Sequence, residues 1–299
     1  METYRFEHAA MATEFVLTIK NEEAEYANSV SQQVFDLIDT LETKLSRFVP
    51  DSDISRINRM KAGEQLPVDF ETWEVVKKAI DITALSYGAF DIGVAKHMDV
   101  FRATKERILT EFEMNKALQK VQQDKQNARL FVDPDKPMVY CVEPGMYFDL
   151  GGIGKGYALD QVEKLMHELE VSTYSLSAGE STILFKNDTS VLPYWSYAIS
   201  TKTEQKTLQL SNVTVSASGT YFQGNHIFDP RTGDNDFVPD SDRVWVAAKD
   251  SAYSDAFSTA FFLLSAEEIE EIVAENEKIL WMAYSKEGTM NFVPENDIY

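Results

Sequence analysis

Within nine positions, Asp149-Leu-Gly-Gly-Ile-Gly-Lys-Gly-Tyr157 combines a carboxylate, four glycines and a lysine. Glycines let backbone approach a ligand closely, and the free N–H groups at a helix start attract anions, so this composition suits a strand-to-helix turn that holds phosphate. Two familiar phosphate loops do not fit it. A Walker A loop places a Ser or Thr after its lysine and a glycine six residues before it, but Gly156 follows Lys155 and Asp149 holds the earlier place. A dinucleotide fingerprint started from Gly152 and Gly154 meets Tyr157 where its third glycine belongs. The plain alternative is a tight turn carrying a surface lysine.

Two further segments carry chemical groups. In Ser216-Ala-Ser-Gly-Thr-Tyr221 and Asn225-His-Ile-Phe-Asp-Pro-Arg-Thr-Gly233, His226 is one of four histidines and lies near hydroxyls, an aspartate and an arginine. Those are the ingredients of a general base beside an anion clamp, although Asp229-Pro230 and Thr232-Gly233 also read simply as turns. On a helix spanning Ala252-Tyr-Ser-Asp-Ala-Phe-Ser-Thr-Ala260, Asp255 and Thr259 stand at i and i+4 and share a face. A carboxylate and a hydroxyl so placed suit Mg²⁺, which takes few protein ligands and completes its shell with phosphate and water. The competing reading is a solvated Asp with an outward Thr.

These groups need elements to position them. Thr13 to Ile19 alternates as a half-buried strand, and from Glu22 to Leu45 the apolar residues Ala27, Val30, Val34, Leu37, Leu41 and Leu45 mark one helix face. Trp73, Val76, Ile80 and Tyr87 predict a second helix that ends at a left-handed Gly88. Thr110 with Glu113, and Ser265 with Glu268, have capping-box spacing. The Glu-rich run that follows Ser265 reads as a solvated face. Strands are expected at Met138–Val142, Tyr147–Leu150, Thr173–Ser177, Trp195–Ser200, Thr207–Leu210, Val213–Ser216, Val244–Ala248 and Ile279–Tyr284. Their short connections favour antiparallel pairing, hence an α+β fold of largely antiparallel sheets with flanking helices, taken as one unit over 1–299.

Composition limits the partners. With 28 basic and 49 acidic residues, the net charge of −21 opposes binding to nucleic acid or anionic membrane. No apolar run approaches the roughly 20 residues of a membrane span, and the N-terminus lacks a secretory core or a lipid-accepting cysteine. The expected location is cytoplasmic, or periplasmic or cell-surface if a leader precedes this sequence. Cys141, the single cysteine, reads as a buried thiol.

In this order the segments resemble the ApbE family, the Mg²⁺-dependent FAD:protein FMN transferases. The resemblance runs through Met11-Ala-Thr13, Ser46-Arg-Phe48, Ser52 to Asn58, Gly88-Ala-Phe-Asp91, Asp149 to Asp160, Ser218-Gly219, His226 to Gly233 and Asp255 to Thr259. It implies an ApbE-like (T-fold-like) architecture in which Met11, Phe48, Ala89, Phe90, Asp91, Asp149, Lys155 and Ile227 contact FAD. It further implies Mg²⁺ between the Gly152 carbonyl, Asp255 and Thr259, with His226 and Asp149 as the candidate catalytic groups. FAD is then split at its diphosphate, FMN passes to a Ser or Thr hydroxyl of an acceptor protein, and AMP leaves. The chain departs from the family pattern in three places. Ala178-Gly179-Glu180 replaces Gly-Gly-Asp, Phe90-Asp91-Ile92-Gly93 replaces Phe-Asp-Pro-Thr, and Phe48 replaces a common Tyr. The alternatives are an FAD diphosphatase, with water in place of the hydroxyl, and an FAD-binding protein without turnover.

Overall fold

A computed structural model describes residues 2–219, 229–233 and 241–294. The chain opens with the hairpin β1 (Thr3–Ala10) and β2 (Thr13–Lys20), followed by α1 (Ala24–Leu45). It continues through α2 (Asp53–Ile57), β3 (Gln65–Pro67), α3 (Phe70–Leu85), α4 (Ala95–Lys105), α5 (Glu111–Asn127), β4 (Arg129–Val132) and β5 (Met138–Glu143). After α6 (Gly154–Glu168) come β6 (Tyr174–Ala178), β7 (Thr182–Lys186), β8 (Trp195–Ser200), β9 (Gln205–Leu210), β10 (Val213–Gly219) and β11 (Arg243–Ala248). The last elements are α7 (Ser251–Ala260), α8 (Ala266–Glu275), β12 (Ile279–Lys286) and β13 (Thr289–Val293). Contacts divide the chain into two compact units. The first is Met1–Glu42, Ile153–Phe222 and Pro239–Tyr299, and the second is Thr43–Gly152 and Gln223–Val238.

The first unit is built on an eight-stranded sheet in the order β1-β2-β6-β7-β10-β11-β12-β13. Every neighbouring pair is antiparallel, as the short connections predict. Because side chains alternate along a strand, the sheet buries residues on both faces. On one face Phe15, Leu17, Ile19 and Leu176 pack with Val30 and Val34 of α1 and Val162 of α6. On the other, Trp245, Val215 and Trp281 pack with Ile199 and Leu208 of the two-stranded ribbon β8-β9. Both expected capping boxes form, at α5 and α8, and α8 turns its glutamates outward while burying Ile269 and Ile272.

The second unit combines the antiparallel sheet β3-β5-β4 with α2 to α5. Cys141 is buried on β5 as expected, and burial, followed by Glu143 and Glu64, pushes its thiol pKa up. Two expectations need correction here. Residues 147–150 form no strand. The backbone of Phe148 instead exchanges hydrogen bonds with the Asn58 side chain, whose amide donates to Phe148 O (2.9 Å) and whose Oδ1 accepts from Phe148 N–H (2.6 Å). The Tyr147 carbonyl and the Asp149 N–H are taken by Ala95 and Ile92. The side chain of one asparagine thus stands where a strand partner would. On α3 the buried face is Thr72, Val75, Val76, Ala79 and Ile82, whereas Ile80 and Tyr87 are exposed. The largest apolar side chains on α3 do not define its inner stripe. Gly88 does end the segment with φ +80°, as expected of a left-handed cap.

Candidate functional site

In the first unit, two helix starts hold each other. The first N–H groups of any α-helix lack partners within the helix, and each helix here borrows a carboxylate from the other. Asp160 on α6 accepts from the N–H groups of Ser251 (2.6 Å) and Ala252 (3.1 Å) at the start of α7. Asp255 on α7 accepts through Oδ2 from Gly156 N–H at 3.0 Å, at the start of α6. Such an approach needs glycine, since a Cβ at Gly156 would lie 2.2 Å from the Ser251 carbonyl oxygen. Helix α6 begins at Gly154, within the glycine turn.

The other oxygen of Asp255, Oδ1, accepts from the Thr182 hydroxyl at 3.0 Å and lies 3.6 Å from Lys155 Nζ. Asp255 is only 4% exposed, which removes the reading of a solvated aspartate. Hydroxyls line the adjoining face of β10. Thr214 meets Ser251 at 2.6 Å, Ser218 meets Ser258 at 2.9 Å and Thr259 at 3.5 Å, and the buried Ser216 Oγ between them has no hydrogen-bond partner among the described residues. Thr182 joins this arrangement from outside every segment quoted for its chemistry, whereas Ser218, Ser258 and Asp160 lie within those segments without a role of their own there. Thr214, Ser216 and Ser218 at every second position were the available signal, because period two places them on one strand face.

Among the described residues no group of three or more His, Cys, Asp or Glu side chains could hold a metal. The donor set around Asp255 is one carboxylate with neighbouring hydroxyls. A carboxylate offers about four lone-pair sites, and two hydrogen bonds leave room for a cation. These residues fit Mg²⁺ of the kind held through one or two carboxylates together with substrate phosphate and water. Met11, also in the first unit, sits at the β1–β2 turn with φ +48°, beside Ala12 at +58°, and packs against the sheet core.

The second unit contains Phe48, Ala89, Phe90, Asp91, Asp149 and Gly152. Asp149 accepts from Arg47 Nε through Oδ2 at 2.5 Å and from Gly151 N–H through Oδ1 at 2.8 Å. Asp91 accepts from Gly93 N–H at 2.6 Å, and Lys125 Nζ lies 2.6 Å from its other oxygen, an ion pair rather than an aligned hydrogen bond. Ala89 and Phe90 are buried, while the ring of Phe48 is 61% exposed. Arg47, Asn58, Arg59, Lys96, Asp99 and Tyr147 line a cleft of about 300 Å³. His97 on α4 is buried, and its Nε2 meets Gln122 Oε1 on α5 at 3.0 Å. Burial, then the charge of Lys125, lowers the His97 pKa, against weaker opposing effects of Gln122 and Asp91.

His226 and Ile227 lie outside the described residues. Of their segment, Arg231 is seen to grip Asp229 with Nε (2.9 and 3.0 Å) and Nη2 (2.7 Å), so the arginine read as an anion clamp is engaged by its own turn.

The profile of the ApbE family matches residues 11–282. The FAD:protein FMN transferase of Escherichia coli K12 is 24% identical over 300 residues, covering 94% of this chain and 84% of that protein. Among solved structures, the flavin transferase ApbE from Vibrio cholerae superposes with a TM-score of 0.80 at 19% identity, covering 97% of this chain and 96% of the other. The apo flavinyl transferase ApbE of Pseudomonas stutzeri gives 0.80 at 22% identity, covering 97% and 95%. Among the described residues, no helix is long and apolar enough to cross a membrane.

Proposed function

Because the chain belongs to the ApbE family, we propose that it transfers FMN from FAD to a Ser or Thr hydroxyl of an acceptor protein in a Mg²⁺-dependent reaction that releases AMP, with residues 1–299 acting as one catalytic unit. The observation that carries this reading is the buried Asp255, fixed through one oxygen by the α6 N-terminus and through the other by Thr182, with Lys155 3.6 Å away. Asp255, Thr259 and the Gly152 carbonyl would hold Mg²⁺, which would supply positive charge against the diphosphate. Lys155 donates to the phosphate oxygens, and Phe48 offers a ring for the flavin to stack on. Met11, Ala89, Phe90, Asp91 and Ile227 complete the FAD contacts, and Asp149 orients the ligand. His226 takes the proton of the acceptor hydroxyl. The acceptor oxygen then bonds to the FMN phosphorus while the bond from that phosphorus to the bridging oxygen breaks, and AMP departs with that oxygen.

The second reading, hydrolysis with water as nucleophile, is favoured by the β6–β7 turn, where Ala178-Gly179-Glu180 departs from the family's Gly-Gly-Asp. AMP release separates the two. Transfer requires FAD, Mg²⁺ and acceptor together and stops on chelation. AMP produced at the same rate without acceptor supports hydrolysis, and intact FAD with acceptor and Mg²⁺ present contradicts both.

A further inference from the structure

We propose that Arg47 is the positioning residue of the flavin site, a role that rests on the FAD reading above. Its side chain is nine-tenths buried, and a buried charge must be paired. One guanidinium does three things. Nε donates to Asp149 Oδ2 at 2.5 Å, Nη1 donates to Asp99 Oδ1 on α4 at 2.9 Å, and Cζ lies 4.3 Å from the centre of the Phe48 ring. The Arg47 carbonyl is itself fixed, accepting from the Ser55 hydroxyl of α2 at 2.9 Å. Phe48 N–H reaches Ser46 Oγ at 3.3 Å, and a second arginine, Arg102, lies farther from the ring, its Cζ 5.1 Å from the centre. The ring and the carboxylate assigned to FAD, 102 residues from Arg47 in the second case, are thus set by one planar fork whose angle Asp99 holds.

The geometry also says what a lysine cannot do. An ammonium is a point charge without a fork, so it can neutralise Asp149 or Asp99 but cannot present two donors at fixed angles while lying against a ring. Arg47→Lys therefore keeps the charge and loses the positioning. The test is a titration of the full chain with FAD, followed by the visible difference spectrum of the bound flavin, together with thermal unfolding. For Arg47→Lys we expect nearly unchanged thermal stability, a Kd for FAD raised about tenfold, as expected when one charge-assisted contact loses its geometry, and a reduced difference spectrum even at saturation. Asp99→Asn, which frees the fork without removing it, should move both readings in the same direction by less. Phe48→Ala should lose the spectral change and also weaken FAD binding, because it removes the stacking ring, and adding Arg47→Lys to it should diminish the spectrum no further. An Arg47→Lys protein with unchanged Kd and spectrum overturns the proposal. If that variant does not fold, an unchanged Kd and spectrum in Asp99→Asn overturns it. Absence of FAD binding by the unaltered chain overturns this proposal together with the FAD reading, whereas normal binding by the chain and by Arg47→Lys sinks the Arg47 role alone.

Discussion

The two units hold their carboxylates in opposite ways. Asp255 is fixed mainly by neutral donors, the Gly156 N–H and the Thr182 hydroxyl, with Lys155 Nζ at 3.6 Å, beyond hydrogen-bond length. Asp149 and Asp91 are each held by a cation, Arg47 at 2.5 Å and Lys125 at 2.6 Å. Neutral donors orient a carboxylate without cancelling its charge, so Asp255 retains its attraction for a metal ion. A cation at contact distance cancels it, so Asp149 and Asp91 can stand beside an anionic ligand without repelling it. On the function proposed above, the first kind of carboxylate suits the metal and the second suits the ligand.

The largest effect should come from breaking the first kind. Asp255→Asn keeps the size of the side chain and removes its charge, and should lower Mg²⁺-dependent turnover at least about a thousandfold, the scale expected when transition-state charge loses its metal. A Mg²⁺ titration of AMP release checks it. Asp149→Asn should act on the ligand side, raising the Kd for FAD about tenfold while the Mg²⁺ concentration at half-maximal rate stays where it was. If the two variants exchange behaviours, the assignment is reversed.

Two smaller effects test how each unit is built. Gly156→Ala places a Cβ against backbone, 2.2 Å from the Ser251 carbonyl oxygen, where no side chain can rotate away. Overpacking of this kind costs about 1–3 kcal/mol, measurable as a lower urea midpoint with the slope unchanged. His97 should give the second unit a shallow pH dependence. Burial and Lys125 set its pKa in the folded chain below the ordinary 6.5. The unfolded chain therefore binds the proton first, and the stability that the neutral imidazole contributes is present above about pH 6.5 and lost as the pH falls below it. Urea unfolding across that range should show a steeper acid loss for the unaltered chain than for His97→Gln.

Local signals were legible in the sequence where the physics is local. Thr110 with Glu113 and Ser265 with Glu268 cap their helices as their spacing predicts, and the antiparallel sheet follows from short connections between alternating runs. The glycine turn was legible as a helix start, and its link to Asp255 came through the family resemblance. The burial of Asp255 was not legible, because i and i+4 spacing says which residues share a face without saying which way that face points. Tyr147 to Leu150 misled because an apolar run shows that a segment is extended, not what pairs with it, and Asn58 takes the strand's place. The role of Arg47 is not legible beside Phe48, because it lies in Asp99 and Asp149, 52 and 102 residues away. The reciprocal capping of α6 and α7 depends on Asp160 and Gly156 meeting residues more than ninety positions further on.

Passage of FMN from FAD to a protein hydroxyl can be read from the intact mass of an acceptor. A flavin-acceptor domain with a Ser or Thr flavinylation site, incubated with the chain, FAD and Mg²⁺, should gain the mass of one FMN at that hydroxyl, with one AMP released per adduct. The same domain with that residue changed to Ala should remain unmodified. An acceptor of unchanged mass in a mixture whose FAD has been converted to free FMN and AMP would contradict the account.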